Sequence, residues 1–385
     1  MTDRLALFAV TAPGVEALCA RELAALGVAA APEAGGVAFE GTPDDLYAAN
    51  LWLRTASRVV VRAAGFRART FFELERHANK VPWERWIAKG LPVRMRVTSK
   101  KSKLYHEGAI AERLLAAVDR RVGGVGEATA AKGAEEGEED GDAQLFVVRV
   151  LRDELTVSAD SSGALLHRRG YREALAKAPL RETLAAAMLL GSGWEAQAPL
   201  VDPMCGSGTV PIEAALIARG LAPGLANPSG APRGYAFTAW PDFDAARWDR
   251  VVARAREAAR PASPVAIHGS DRDAGAIGAA AANAERAGVR GDVELSVRAL
   301  SAVEPPPGPG WVVSNPPYGV RVGESDALRD LYAALGRTAR AKCPGWTLAL
   351  LSADPRLEGQ VGVRFREALR TSNGGIPVRL VVGTV

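Results

Sequence analysis

The stretch "LVDPMCGSGTVPIEAALIARG", Leu200–Gly220, decides how this chain folds. A short apolar run ends on an acid, Asp202, and glycines at 206 and 208 follow before "TVPIEAALIA" continues as a helix. Glycines in such a turn let backbone amides approach a ligand closely. The loop lacks both the Gly-Lys-Ser/Thr ending of a P-loop and the G-x-G-x-x-G spacing of a dinucleotide fingerprint. Asp202 also disfavours phosphate, because like charges repel, and suits the cationic end of a ligand, an amino group or a sulfonium.

From Leu200 onward, strand and helix patterns alternate, the signature of a parallel, doubly wound sheet. The strands are "PLVD", "VAIHGS", "VELSV", "WVVS", "TLALLS", "VRFREALR" and "VRLVVG". Open sheets of this kind bind ligands at the carboxyl ends of their strands. Asp271 falls just after the second strand, where a carboxylate can accept from both hydroxyls of a ribose, or can cap the next helix. Asp273 reads as that helix's N-cap. The third strand end offers Ala299 and no acid. The fourth, "WVVSNPPYGVRVG" at Trp311–Gly323, stops on an Asn and two prolines. Consecutive prolines fix φ and donate nothing, so Asn315, Pro316, Pro317 and Tyr318 form a rigid, non-helical platform.

The first 160 residues read differently. Leu5–Val10 alternates like a strand, and "APGVEALCARELAALG" follows as a helix. Short strands at "VAAA" and "GVAFE", a helix from Pro43 to Leu53 and the strand "RVVVRAAGF" complete a ferredoxin-like order. A second unit begins near Thr70 with an aromatic-rich helical region, the strand "PVRMRVTS", a helix "AIAERLLAAVDRRV" and the strands "QLFVVRVL" and "ELTVSADS". Between the last helix and those strands, Gly123–Asp142 is glycine-rich and acidic with little to bury, and reads as a disordered loop. Arg94, Arg96, Lys100, Lys101 and Lys103 crowd one strand and its outgoing turn. Alternation puts Arg94, Arg96 and Thr98 on one face, which suits either a phosphate-tracking surface or a solvated edge strand protected by charge. The stretch "LHRRGYREALAKAPLRETLAAAMLL" is a basic connector ending in a helix.

Composition bounds the partners. The 385 residues carry a net charge of +4, which permits a nucleic-acid partner without requiring one. Three unpaired cysteines and four scattered histidines imply neither a disulfide framework nor a metal site. No run approaches the ~18 apolar residues of a membrane span, so a cytoplasmic location is expected.

"DPMCGSG", "GSDRD" and "NPPYG" together resemble the motif series of class I S-adenosylmethionine-dependent methyltransferases. The whole chain resembles the THUMP-containing RNA methyltransferases, in particular the bacterial enzymes that make N2-methylguanine in 23S rRNA and their relatives acting on tRNA. "LHRRGYR", "KAPLRETLAAAML" and "NGGIPVRL" extend the likeness nearly end to end. The resemblance implies a Rossmann-like α/β methyltransferase domain over 183–385, preceded by ferredoxin-like (1–68) and THUMP (69–160) domains and a linker (161–182). It implies S-adenosylmethionine held by Pro179, Asp202, Pro203, Cys205, Gly206, Ser207, Gly208, Thr209, Asp271 and Asn315. The catalytic platform would be Asn315, Pro316, Pro317 and Tyr318. RNA would be held by Arg94, Arg96, Lys100, Lys101, Lys103, Arg168 and Arg169. A monomer acting on 23S rRNA, without metal or membrane, is the expectation; tRNA, or a non-catalytic role in ribosome assembly, is the alternative. Ala299 departs from the acid common in the family at that strand end, leaving Ser301 or a backbone group to meet the adenine. Cys205 is expected to pack rather than attack, and Trp240 and Trp248 to cover the sheet rather than cage a base.

Overall fold

The computed structural model describes residues 4–124, 129–130, 143–172, 180–318 and 325–385. Its N-terminal part runs β1 (Leu5–Thr11), α1 (Glu16–Ala25), β2 (Ala30–Glu33), β3 (Gly36–Gly41), α2 (Pro43–Trp52) and β4 (Ala56–Arg67). The spatial order β2-β3-β1-β4 is that of a ferredoxin-like sheet. Strand β2 starts later than "VAAA" suggests, because the Val28 amide is still engaged by the Leu23 carbonyl that closes α1. Helix α2 starts on a capping box: the Thr42 hydroxyl accepts from the Asp45 amide and the Asp45 carboxylate from the Thr42 amide.

The chain continues through α3 (Phe71–Ala78), β5 (Val93–Lys100), α4 (Glu107–Val122), β6 (Thr129–Ala130), β7 (Gln144–Leu151) and β8 (Glu154–Asp160). Strand β8 pairs antiparallel with β4, so both parts contribute to one eight-stranded sheet, β2-β3-β1-β4-β8-β7-β5-β6. Leu7, Val59, Val61, Phe146, Val148 and Val157 line its inner face and share a core with residues of α2, α3 and α4. The reading of Gly123–Asp142 as wholly irregular needs correcting. Thr129 and Ala130 pair in parallel with Arg94 and Met95, while residues 125–128 and 131–142 lie outside the described residues.

The second sheet is built from α5 (Glu182–Ser192), β9 (Leu200–Asp202), α6 (Thr209–Ala218), α7 (Ala245–Ala258), β10 (Ile267–Asp271), α8 (Ala274–Arg286), β11 (Glu294–Val297), β12 (Trp311–Ser314), α9 (Ser325–Lys342), β13 (Thr347–Ser352), α10 (Pro355–Val361), β14 (Arg366–Asn373) and β15 (Ile376–Thr384). Its order is β11-β10-β9-β12-β13-β15-β14, with β15 antiparallel to both neighbours. Strand order therefore reverses between β9 and β12, the switch point where such sheets bind ligands. Among the described residues, no helix is long and apolar enough to cross a membrane.

The two sheets are joined by packing that includes arginines. The Arg54 guanidinium, on the N-terminal side, donates to the carbonyl of Leu221 at 2.8 Å. Arg169, expected to touch RNA, is buried instead. Its guanidinium donates to the carbonyls of Leu166 and Arg54, both at 2.6 Å, and faces the buried Glu213. A cation so enclosed holds the two halves together and has no face left for a phosphate; its neighbour Arg168 is partly exposed. Trp240 and Trp248 do form a cover, but chiefly over the N-terminal part. Trp248 meets Tyr47 edge-on at 5.9 Å, and the Trp240 indole donates to Gln144 Oε1 at 2.7 Å.

Candidate active site

The site assembles at the carboxyl end of the second sheet. Strands β9 and β12 run parallel with Val201 opposite Val312, and β10 flanks the other side with Gly269 opposite Asp202. This register delivers Asp202, Asp271 and Ser314 to one edge, and the segments that follow them become the site.

The loop after β9 is clamped from three sides. Asp271 Oδ2 accepts from the Gly206 amide at 3.0 Å, tying the loop to the end of β10. Asn283 on α8 donates from Nδ2 to the Ser207 carbonyl at 2.9 Å. Arg172 donates to the Thr209 hydroxyl at 2.8 Å and to the Leu180 carbonyl at 2.7 Å, while also facing Glu182. Gly208 stands at φ +84°, and a Cβ there would lie 2.9 Å from the Ala280 Cβ, so only glycine fits the start of α6. A Cβ on Gly206 would meet nothing within 4 Å, which leaves that side of the loop open.

Asp202 is buried, and its Oδ1 accepts from the Met204 amide at 3.2 Å and the Ser314 hydroxyl at 2.7 Å. Burial pushes its carboxyl up to about 7, the two hydrogen bonds oppose that shift, and Asp271 adds to it. The Ser314 bond couples the loop directly to the platform beginning at Asn315. Within the loop Pro203 and Cys205 are buried, and burial raises the Cys205 thiol, as expected of a packing residue and not of a thiolate nucleophile.

On the platform, Asn315 Oδ1 is a buried acceptor with no hydrogen-bond partner among the described residues. Pro316 is buried and Pro317 exposed. Tyr318 is half-buried, and its hydroxyl accepts from Asn373 Nδ2 at 2.7 Å; burial raises its pKa and this bond opposes the rise.

Of the expected residues, Asp202, Pro203, Cys205 to Thr209, Asp271 and Asn315 to Tyr318 therefore meet at one end of one sheet. Asp273 caps α8 through the Gly275 amide at 2.8 Å, while Asp271 caps no helix and receives the Asp273 amide at 3.0 Å. Ala299 is exposed after β11 and starts a short 3-10 turn that contains Ser301, also exposed. Pro179 lies outside the described residues. On the other sheet Lys100, Lys101 and Lys103 are exposed, while Arg94 and Arg96 are half-buried and Arg96 Nη2 is enclosed. Sequence reasoning missed Ser314, Asn283, Arg172 and Asn373. Their signals were faint: a hydroxyl just before the Asn-Pro-Pro run, one amide in an alanine-rich helix, an arginine in the connector and an Asn before two turn glycines.

A model of the RMKL-like methyltransferase domain matches residues 169–381, and one of the RlmL ferredoxin-like domain matches residues 6–60. The chain belongs to the RMKL-like methyltransferase family. A Synechocystis sp. protein named, provisionally, RNA methyltransferase slr0064 is 34% identical over 97% of this chain and 95% of its own length. The ribosomal RNA large subunit methyltransferase K/L of Syntrophotalea carbinolica is 37% identical over 99% of this chain, which spans only 54% of that protein. Among solved structures, SMU.472 complexed with SAH is 32% identical at a TM-score of 0.86, covering 100% of this chain and 98% of its own. A Listeria monocytogenes protein provisionally assigned as an N6-adenine-specific DNA methylase is 32% identical at 0.85, covering 98% and 96%. The cofactor implied by this family is S-adenosylmethionine. The residues fit it: carboxylates end β9 and β10, a glycine loop lies between them, and Asp202 to Thr209 include no cation to attract a phosphate.

Proposed function

We propose that this protein methylates the exocyclic N2 amine of a guanine in structured RNA, with the large-subunit 23S ribosomal RNA as its substrate. The observation that carries this reading is Asn315 Oδ1, a buried acceptor without a partner among the described residues, in a platform tied to the donor loop by Ser314. A buried acceptor is costly unless a donor arrives, and an amine brings two N–H groups. Asn315 Oδ1 takes one and the Pro316 carbonyl the other. Held this way, the nitrogen loses conjugation with its ring, and its lone pair turns toward the β9 side of the site. When bound, S-adenosylmethionine would supply the methyl group: N–CH3 forms as S–CH3 breaks, the sulfur leaves as a neutral thioether, and the nitrogen sheds its extra proton to solvent, so no strong general base is needed before transfer. Asp271 would hold the ribose hydroxyls of that cofactor and Asp202 its cationic end, while Tyr318, anchored through Asn373, would stack on the extruded base.

In this reading residues 69–160 are a THUMP module that grips RNA through Arg94, Arg96, Lys100, Lys101 and Lys103, residues 161–182 link, and 183–385 carry the chemistry. The RNA named in the Synechocystis and K/L relatives supports RNA over DNA. The same platform would also suit adenine N6, the activity assigned to the Listeria relative, so the product decides. The test is methyl-labelled S-adenosylmethionine with total RNA from a strain lacking the gene, followed by size separation and nucleoside analysis. N2-methylguanosine in the large ribosomal RNA is the expected product. Label in tRNA would move the substrate, and N6-methyladenosine would overturn the base assignment.

A further inference from the structure

A cleft of about 500 Å³ lies between the two sheets, walled by the end of β1, the start of β4, the first turn of α5 and the β14–β15 turn. Its place in the fold is fixed. Ser352 at the end of β13 pairs with Arg379, so the turn between Asn373 and Ile376 projects beyond the catalytic end of the sheet. The Trp311 indole, at the opposite end of β12, donates to the Ser192 carbonyl that closes α5. The amino end of α5 therefore points toward the catalytic end as well. The N-terminal wall is pinned to this region, because a Cβ on Gly14 would lie 1.9 Å from the Arg370 carbonyl oxygen.

The lining combines apolar residues of β1 and α5 with a cationic and hydroxylic part. Arg181, Thr183, Thr11 and Ser57 face it, and among the described residues no carboxylate does. Glu182, the acid of that first helical turn, faces Arg172. Thr11 is 6% exposed, and its hydroxyl has no hydrogen-bond partner among the described residues. Asn373 belongs to both places: it lines the cleft and holds the Tyr318 hydroxyl.

We propose that this cleft receives the nucleotide flanking the target base, with its phosphate at the amino end of α5. Helix amino ends attract anions through their first-turn amides and dipole; here the Glu182 amide is taken by its own carboxylate, which leaves the amides beyond it, and Thr183, Arg181 and Thr11 line the same cleft. The volume is that of a small-ligand pocket and accommodates a base with its sugar. Asn373 then connects the flanking nucleotide to the tyrosine on which the target base stacks. The proposal rests on the RNA-methylating reading above and adds a path for the strand.

Two measurements on the full chain separate the two ideas. Ultraviolet crosslinking to 4-thiouridine-substituted ribosomal RNA, with peptide mapping, should label segments 10–15, 181–184 or 373–375 whether or not methyl transfer occurs. Labelling confined to the outer face of β5 and its turn would overturn the cleft. The second is kinetic. Thr11→Val and Thr183→Val, nearly isosteric, should together raise the KM for that RNA about tenfold, the scale of a hydrogen bond to a charged group, with S-adenosylmethionine affinity unchanged. An unchanged KM, or an equal loss of cofactor affinity, counts against the cleft. Crosslinks in the cleft without methylated product would sink the enzymatic reading and leave the cleft standing.

Discussion

Asp202 is a carboxylate that the fold keeps dry. With its pKa near 7 in the folded state against an ordinary value of 3.8, the native protein binds a proton that the unfolded chain has released. Its contribution to stability is thus fully present below about pH 4, falls as pH rises toward 7, and is level above that. A cationic ligand end favours the ionised form. Affinity for S-adenosylmethionine should therefore climb by up to about tenfold per pH unit below 7 and flatten above it. Calorimetric titration from pH 5.5 to 8.5 checks this, and Asp202→Asn should remove the slope. Asp271 gives a second prediction: Asp271→Ala should weaken cofactor binding about tenfold or more, by losing the Gly206 tie and, in the proposed reading, its bonds to the ribose hydroxyls. Unchanged affinity would reduce that residue to a local turn. The acids were legible in the sequence because they directly follow apolar strands. Arg169 was not, because its burial depends on Glu213, 44 residues away, and nothing local distinguishes a buried arginine from a surface one.

The glycine loop shows how an element is held by its neighbours. Asp271, Asn283 and Arg172 each grip one of its residues, and Gly208 sits where a side chain would strike Ala280. Gly208→Ala combines a positive φ with that close approach, so it should cost about 1–3 kcal/mol and weaken cofactor binding in parallel. Thermal unfolding with and without S-adenosylmethionine measures both; an unshifted midpoint would mean the loop relaxes freely. The seven strands of the second sheet were readable because turn residues bound each short apolar run. The hairpin strand β14 lies further along than "VRFREALR" suggests, since Gly374 and Gly375, both at positive φ, set where the chain reverses. The β4–β8 pairing was invisible. Nothing local marks a strand pairing between positions 87 apart, Arg67 and Glu154, and further apart beyond them.

At the scale of the molecule, a basic strand on one sheet and the Asn315 platform on the other are set in one frame by Arg54, Arg169 and the aromatic cover around Tyr47. Replacing Lys100, Lys101 and Lys103 together with alanine should weaken RNA binding and flatten its logarithmic salt dependence by roughly 2–3 units if all three meet phosphates. Fluorescence anisotropy with ribosomal RNA at several salt concentrations reads the slope. An unchanged slope would place the RNA elsewhere, and the cleft beside Asn373 would then carry more of the contact.

In the proposed mechanism the Asn315 platform activates the acceptor amine. Its most direct test is turnover of Asn315→Ala on RNA from a strain lacking the gene, measured beside its affinity for S-adenosylmethionine. We expect kcat to fall by about a hundredfold or more, the scale of removing one oriented polar group at a reacting centre, with cofactor affinity nearly unchanged. Loss of affinity equal to the loss of turnover would contradict the account and make Asn315 a cofactor ligand.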